Sequence, residues 1–100
     1  MKSVLTNLKL AMDESAETKS DAPWAVAARN AGLRMQPDTG DSEINDTTFS
    51  GNFGTLVVTL NHRWRDTSRT FQPGPDRITL RLEVRQGNSL LDSYTTGYDS

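Results

Sequence analysis

The stretch Arg77-Ile78-Thr79-Leu80-Arg81-Leu82-Glu83-Val84-Arg85 alternates polar and apolar residues without a break. A helix would scatter both sets around its circumference, so this pattern fits a β-strand with one buried and one wet face. A looser alternation runs from Leu56 to Trp64. Leu56, Val58, Leu60, His62 and Trp64 fall on one side, and Val57, Thr59, Asn61 and Arg63 on the other. Gln86-Gly87-Asn88 reads as a tight hairpin turn, so Leu90 to Thr96 is expected to return antiparallel. Phe49, Gly51 and Phe53 extend the first strand upstream, with Gly54 at a bulge. Pro73-Gly74-Pro75 forbids regular structure in the link from Asp66 to Asp76.

The first half is patterned for helices. Val4, Leu5, Leu8, Ala11 and Met12 recur at helical spacing, which predicts an amphipathic helix over 3–17 with Ser3 as its cap. The polar run over 12–21 is expected to end it and form a linker. A second helix over about 22–31 is better punctuated: Asp21 suits the N-cap, Pro23 the first turn, and Gly32 the left-handed residue after the helix. Leu33 would then fold back onto the last turn. Trp24, Ala27, Ala28 and Ala31 share one face, and their small size calls for a close neighbour. Residues 36–48, rich in turn formers and acids, read as a surface loop. The expected fold is α+β: two N-terminal helices packed on one face of a three- to four-stranded antiparallel β-meander.

With 100 residues, of which 34% are hydrophobic, the chain suffices for one core and a single domain over 1–100. The lack of cysteine excludes disulfides, thiolate nucleophiles and Cys-based zinc sites, and fits a reducing compartment such as the cytoplasm. No apolar run approaches the roughly 20 residues that span a bilayer, and Asn7 and Lys9 interrupt what would be a signal-peptide core. A soluble protein with no membrane partner is the expectation.

The net charge of −2 is uneven: residues 1–50 hold five Lys or Arg against eight Asp or Glu, whereas residues 51–100 hold six Arg against five acids. Antiparallel pairing of 56–64 with 77–85 would gather Arg63, Arg77 and Arg81 on one polar face, with Arg65, Arg69 and Arg85 at its margins. Guanidinium forks suit carboxylates, phosphates and stacked bases. Exposed charge is also the default for the wet side of a strand, so the competing reading is a merely solvated face.

Other constellations are weaker. The acids Asp38, Asp41, Glu43 and Asp46 form a second tentative contact surface, suited to an arginine-bearing partner. They do not form an EF-hand: counted from Asp38, the sixth residue is Glu43 and the twelfth Phe49, where glycine and glutamate are needed. His62 is the single histidine and reads as a packed or hydrogen-bonded side chain without metal co-ligands. Ala27 to Leu33 resembles the opening of a helix-turn-helix motif, but Gln36-Pro37-Asp38 breaks the recognition helix that must follow. No phosphate loop, dinucleotide fingerprint, nucleophile elbow or zinc-protease motif is present, so neither catalytic residues nor a cofactor are assigned.

The expected function is a small non-enzymatic protein-binding module: a regulator, inhibitor or assembly subunit, of the compact kind that phages and mobile elements carry. The alternative is a nucleic-acid-binding domain that uses the arginine face with Trp64 or Phe71 stacking on bases. The acidic balance of the chain weighs against it. An uncapped edge strand would give a route to a homo-oligomer.

Overall fold

The computed structural model describes residues 2–36, 44–66, 71 and 74–99. Two helices, α1 (Lys2–Thr18) and α2 (Ala22–Asn30), precede five strands: β1 (Arg34–Met35), β2 (Ile44–Phe53), β3 (Leu56–Asp66), β4 (Asp76–Gln86) and β5 (Ser89–Asp99). The strands form one antiparallel sheet in the order β1-β2-β3-β4-β5. The α+β meander expected from the alternation is therefore present, with five strands rather than three or four.

The additional strands come from segments whose patterns were misleading. Residues 44–48 read as loop from their composition, yet they pair with β3, from Ile44 opposite Arg65 to Thr48 opposite Asn61. Asp46 and Thr48 face the wet side of the sheet, opposite Arg63 and Asn61, so this part of the strand lacks an apolar signature. The two-residue β1 lies against Phe49 and Ser50 and is too short to show any period. Gly54 is not at a bulge. It has φ +64 in the two-residue turn between β2 and β3, and Gly87, with φ +59, does the same between β4 and β5. A glycine in the first turn position matches the right-handed twist of the strands it joins. The bulge falls instead between Val84 and Arg85, opposite the start of β5.

The helices cover one sheet face. Ile78, Leu80, Leu82 and Val84 of β4 and Val58 and Leu60 of β3 are buried against Leu8, Met12, Trp24 and Ala28. Leu5, Leu56 and Trp64 pack at the margin, partly buried. Helix α1 ends at Thr18, within the polar stretch expected to end it, and runs as far as it does because Met12 and Ser15 are buried and keep the helical face continuous. Ion pairing and hydrogen bonding dock α1 on β5: Lys9 Nζ lies 2.9 Å from Asp92 Oδ2, and the Tyr94 hydroxyl donates to Asp13 at 2.5 Å. Lys9 holds the Asp92 carboxyl below its ordinary range, chiefly through that hydrogen bond.

The junction of α1 and α2 departs from the expected capping. Asp21 occupies the N-cap position, but its side chain makes no cap hydrogen bond. Buried Ser15 of α1 serves instead, accepting the Trp24 backbone N–H at 3.0 Å. At the other end, Gly32 takes φ +89 while Gly32 N–H bonds Arg29 O and Leu33 N–H bonds Ala28 O, both at 3.0 Å. This is the Schellman arrangement, and it folds Leu33 back into the core. Leu33 in turn needs Gly51: a Cβ there would sit 2.8 Å from Leu33 Cδ2.

Leu80 is fully buried at the centre of this layer. Leu80→Ala should destabilise the fold by about 2–5 kcal/mol through lost burial and a residual cavity. Chemical denaturation reads the change, and an unchanged midpoint would contradict the register.

Candidate functional site

Neither described helix lies on the far face of the sheet. Alternation fixes what it presents, because every second residue of β2 to β5 must point away from the core. From β3 these are Val57, Thr59, Asn61, Arg63 and Arg65, and from β4 they are Arg77, Thr79, Arg81, Glu83 and Arg85. Rungs of the ladder then set direct neighbours: Arg65 opposite Arg77, Arg63 opposite Thr79, and Asn61 opposite Arg81.

These six side chains line one depression of about 320 Å³. Arg63, Arg65, Arg77 and Arg81 are thus brought together around a single concavity. Arg85 is not among them. It pairs with Glu83 at 2.7 Å and lies between Val57 and Leu90, two partly exposed apolar residues on neighbouring strands.

The four guanidinium groups are not equivalent. Arg63 is clamped by Asp46, directly opposite on β2, through Nε at 2.8 Å and a second nitrogen at 3.1 Å. That hydrogen-bonded pairing raises the guanidinium pKa further. Arg77 reaches Asp99, opposite on β5, at 3.2 Å. Its path crosses Gly97, where a Cβ would meet Ile78 O at 2.5 Å and an Arg77 nitrogen at 3.0 Å. Glycine therefore lets the Arg77 side chain lie flat across β5. Among the described residues, Arg65 and Arg81 have no carboxylate partner.

Of the acidic group read from the sequence, Asp46 is a counterion within the arginine face and not part of a separate acidic loop. Asp38, Asp41, Glu43 and the outlying Arg69 lie outside the described residues. Trp64, one of the aromatic residues considered for base stacking, is on the opposite side of β3 and packs against the core. Phe71 is almost wholly exposed between β3 and β4.

A second polar cluster sits on the helix side. Freed from capping α2, the Asp21 carboxylate turns to the sheet. One oxygen accepts the Tyr98 hydroxyl at 2.7 Å and lies 3.2 Å from His62 Nε2. The imidazole stacks on Trp24, with ring centroids 5.2 Å apart at 19°. His62 is thus packed and hydrogen-bonded between a helix and the sheet. Its partner lies 41 positions away, beyond the reach of any local pattern. Among the described residues, no three His, Cys, Asp or Glu side chains assemble as metal ligands. Among the described residues, no helix is long and apolar enough to cross a membrane, and the outer edge of β5 pairs with no other strand.

Compared with protein-family models, curated proteins and solved structures, the chain matches none.

Burial, with the Asp21 hydrogen bond and charge adding to it, pushes the Tyr98 phenol well above its ordinary range. A raised folded-state value means that the stability it contributes is complete below about pH 10 and is lost as pH climbs through the folded value. Tyr98→Phe should cost about 1 kcal/mol at neutral pH. The variant should also lose less stability than wild type between about pH 10 and pH 11.5, as measured by denaturation at each pH. Identical alkaline profiles would contradict this role for the phenol.

Proposed function

We propose that this chain is a non-enzymatic protein-binding module that docks an acidic surface of its partner on the open face of the sheet. The observation that carries this reading is the arginine-lined depression at the centre of a face that no described element covers. A solvated face needs only enough charge to stay wet. Here Arg65 stands directly opposite Arg77 on the adjacent strand, a like-charge repulsion that Asp99 offsets from the Arg77 side alone. An anionic partner would relieve that repulsion and exploit the planar donor forks.

A nucleic acid is the lesser alternative. Asp46, Glu83 and Asp99 are interleaved with the arginines and would oppose a phosphate backbone. Stacking platforms for single strands use aromatic rings on the binding face, and none of the β3 or β4 residues on this face is aromatic. The presence of a polar face flanked by Val57 and Leu90 is closer to the mixed character of protein interfaces.

Affinity capture of partners by wild type and by the Arg65→Ala/Arg81→Ala double variant, with mass spectrometry, tests the reading. Both positions are exposed, so the double variant should remain folded, each change shifting stability by no more than about 0.5 kcal/mol. A partner protein captured by wild type should be lost from the double variant, and its association should slow as salt is raised. Equal capture by a cleanly folded double variant would mean the face is solvated only. Retention of oligonucleotides in place of protein would favour the alternative.

A further inference from the structure

Resting on the reading that the open face binds a protein, the charge balance within the depression points to the group it receives. We infer that the depression holds a single dianionic phosphoryl group carried by a side chain of the partner, gripped by Arg65 and Arg81. Of the four guanidinium groups, two are already neutralised: Arg63 by Asp46 and Arg77 by Asp99. Glu83 is taken by Arg85 outside the depression, and Asp76, the other carboxylate of β4, alternates to the helix side of the strand with Ile78. Among the described residues, two positive charges in this concavity remain without a carboxylate partner, matching a phosphomonoester, which carries about −1.5 to −2 at pH 7.

Geometry favours that group over a carboxylate. Arg65 and Arg81 belong to the two end rungs of a three-rung depression, roughly 13 Å apart along the sheet. They therefore approach its centre from opposite sides. One planar carboxylate satisfies one bidentate fork, whereas a phosphoryl group offers three oxygens and can accept forks from two directions. The middle rung places Arg63 and the Thr79 hydroxyl beside that centre. A nucleic-acid phosphodiester carries only one charge per phosphate and cannot balance two guanidinium groups at one point. Asp46 and Asp99 then act as positioning residues. They hold Arg63 and Arg77 against the neighbouring strands, so that the free charge is concentrated on Arg65 and Arg81.

The test uses the intact chain and small probes: N-acetyl-phosphoserine methylamide, the corresponding glutamate compound, inorganic phosphate, and a short thymidine oligonucleotide. Titrations are followed through the arginine Nε–H resonances. Phosphoserine should shift Arg65 and Arg81 together and saturate, binding at least about tenfold more tightly than glutamate. It should also bind more tightly than inorganic phosphate, which lacks the peptide-like backbone. Arg65→Ala and Arg81→Ala should each weaken binding by about tenfold, and Arg85→Ala should not. Affinity should fall as pH drops through the second phosphate ionisation near 6, since the single histidine lies on the opposite face. Equal binding of glutamate and phosphoserine would overturn the phosphoryl assignment while leaving an acidic protein partner in place. Failure of phosphoserine to bind, or insensitivity to both arginine variants, would also overturn it. Tighter binding of the oligonucleotide would overturn this inference and the protein-binding reading together.

Discussion

The interior strand β4 governs the molecule. Its row of Ile78, Leu80, Leu82 and Val84 is buried under two helices, and this fixes where every other residue of the strand must point. A strand cannot bury one residue without turning the next to the opposite side. Since helices cover one face only, Arg77, Thr79, Arg81, Glu83 and Arg85 emerge together on the other. Pairing with β3 on one side and β5 on the other then adds Asn61, Arg63 and Arg65 to the same surface and brings Asp99 to Arg77. The arginine depression is thus a consequence of the way the core is packed. A one-residue slip of β4 would bury its charges and expose its leucines.

Holding the helix layer in place takes polar contacts as well as apolar area. Trp24 meets Phe49 edge-on, with ring centroids 5.3 Å apart, and lies flat on His62. Ser15 caps its backbone, and Asp21 ties the start of α2 to both His62 and Tyr98. These contacts join α1, α2, β3 and β5 at one end of the fold. They give His62 a structural occupation within the helix-covered side of the sheet.

Local pattern made much of this legible. The strict alternation of β4 and the glycine after α2 each dictate a backbone geometry through nearest neighbours, and both appear as expected. What escaped was set by contacts remote in sequence. The strand at 44–48 is polar because it contributes to a wet face, so its composition resembled that of a loop. Asp21 reads as a cap because chain order hides Ser15, whose hydroxyl accepts the Trp24 N–H from the preceding helix. The arginines could be assigned to one face by counting residues. Their division into two compensated and two uncompensated groups depended on Asp46 and Asp99, which reach them only through strand pairing.

That division rests on a single register, in which paired positions of β3 and β4 run from Leu56 opposite Gln86 to Asp66 opposite Asp76. Cross-strand Hα–Hα nuclear Overhauser effects in the intact protein measure it most directly. The account predicts strong effects at alternate rungs of the series that contains Leu60 with Leu82, Asn61 with Arg81, and Arg63 with Thr79. A series displaced by one residue, pairing Asn61 with Leu80 or Leu82, would put the arginines out of step with Asn61 and contradict the account.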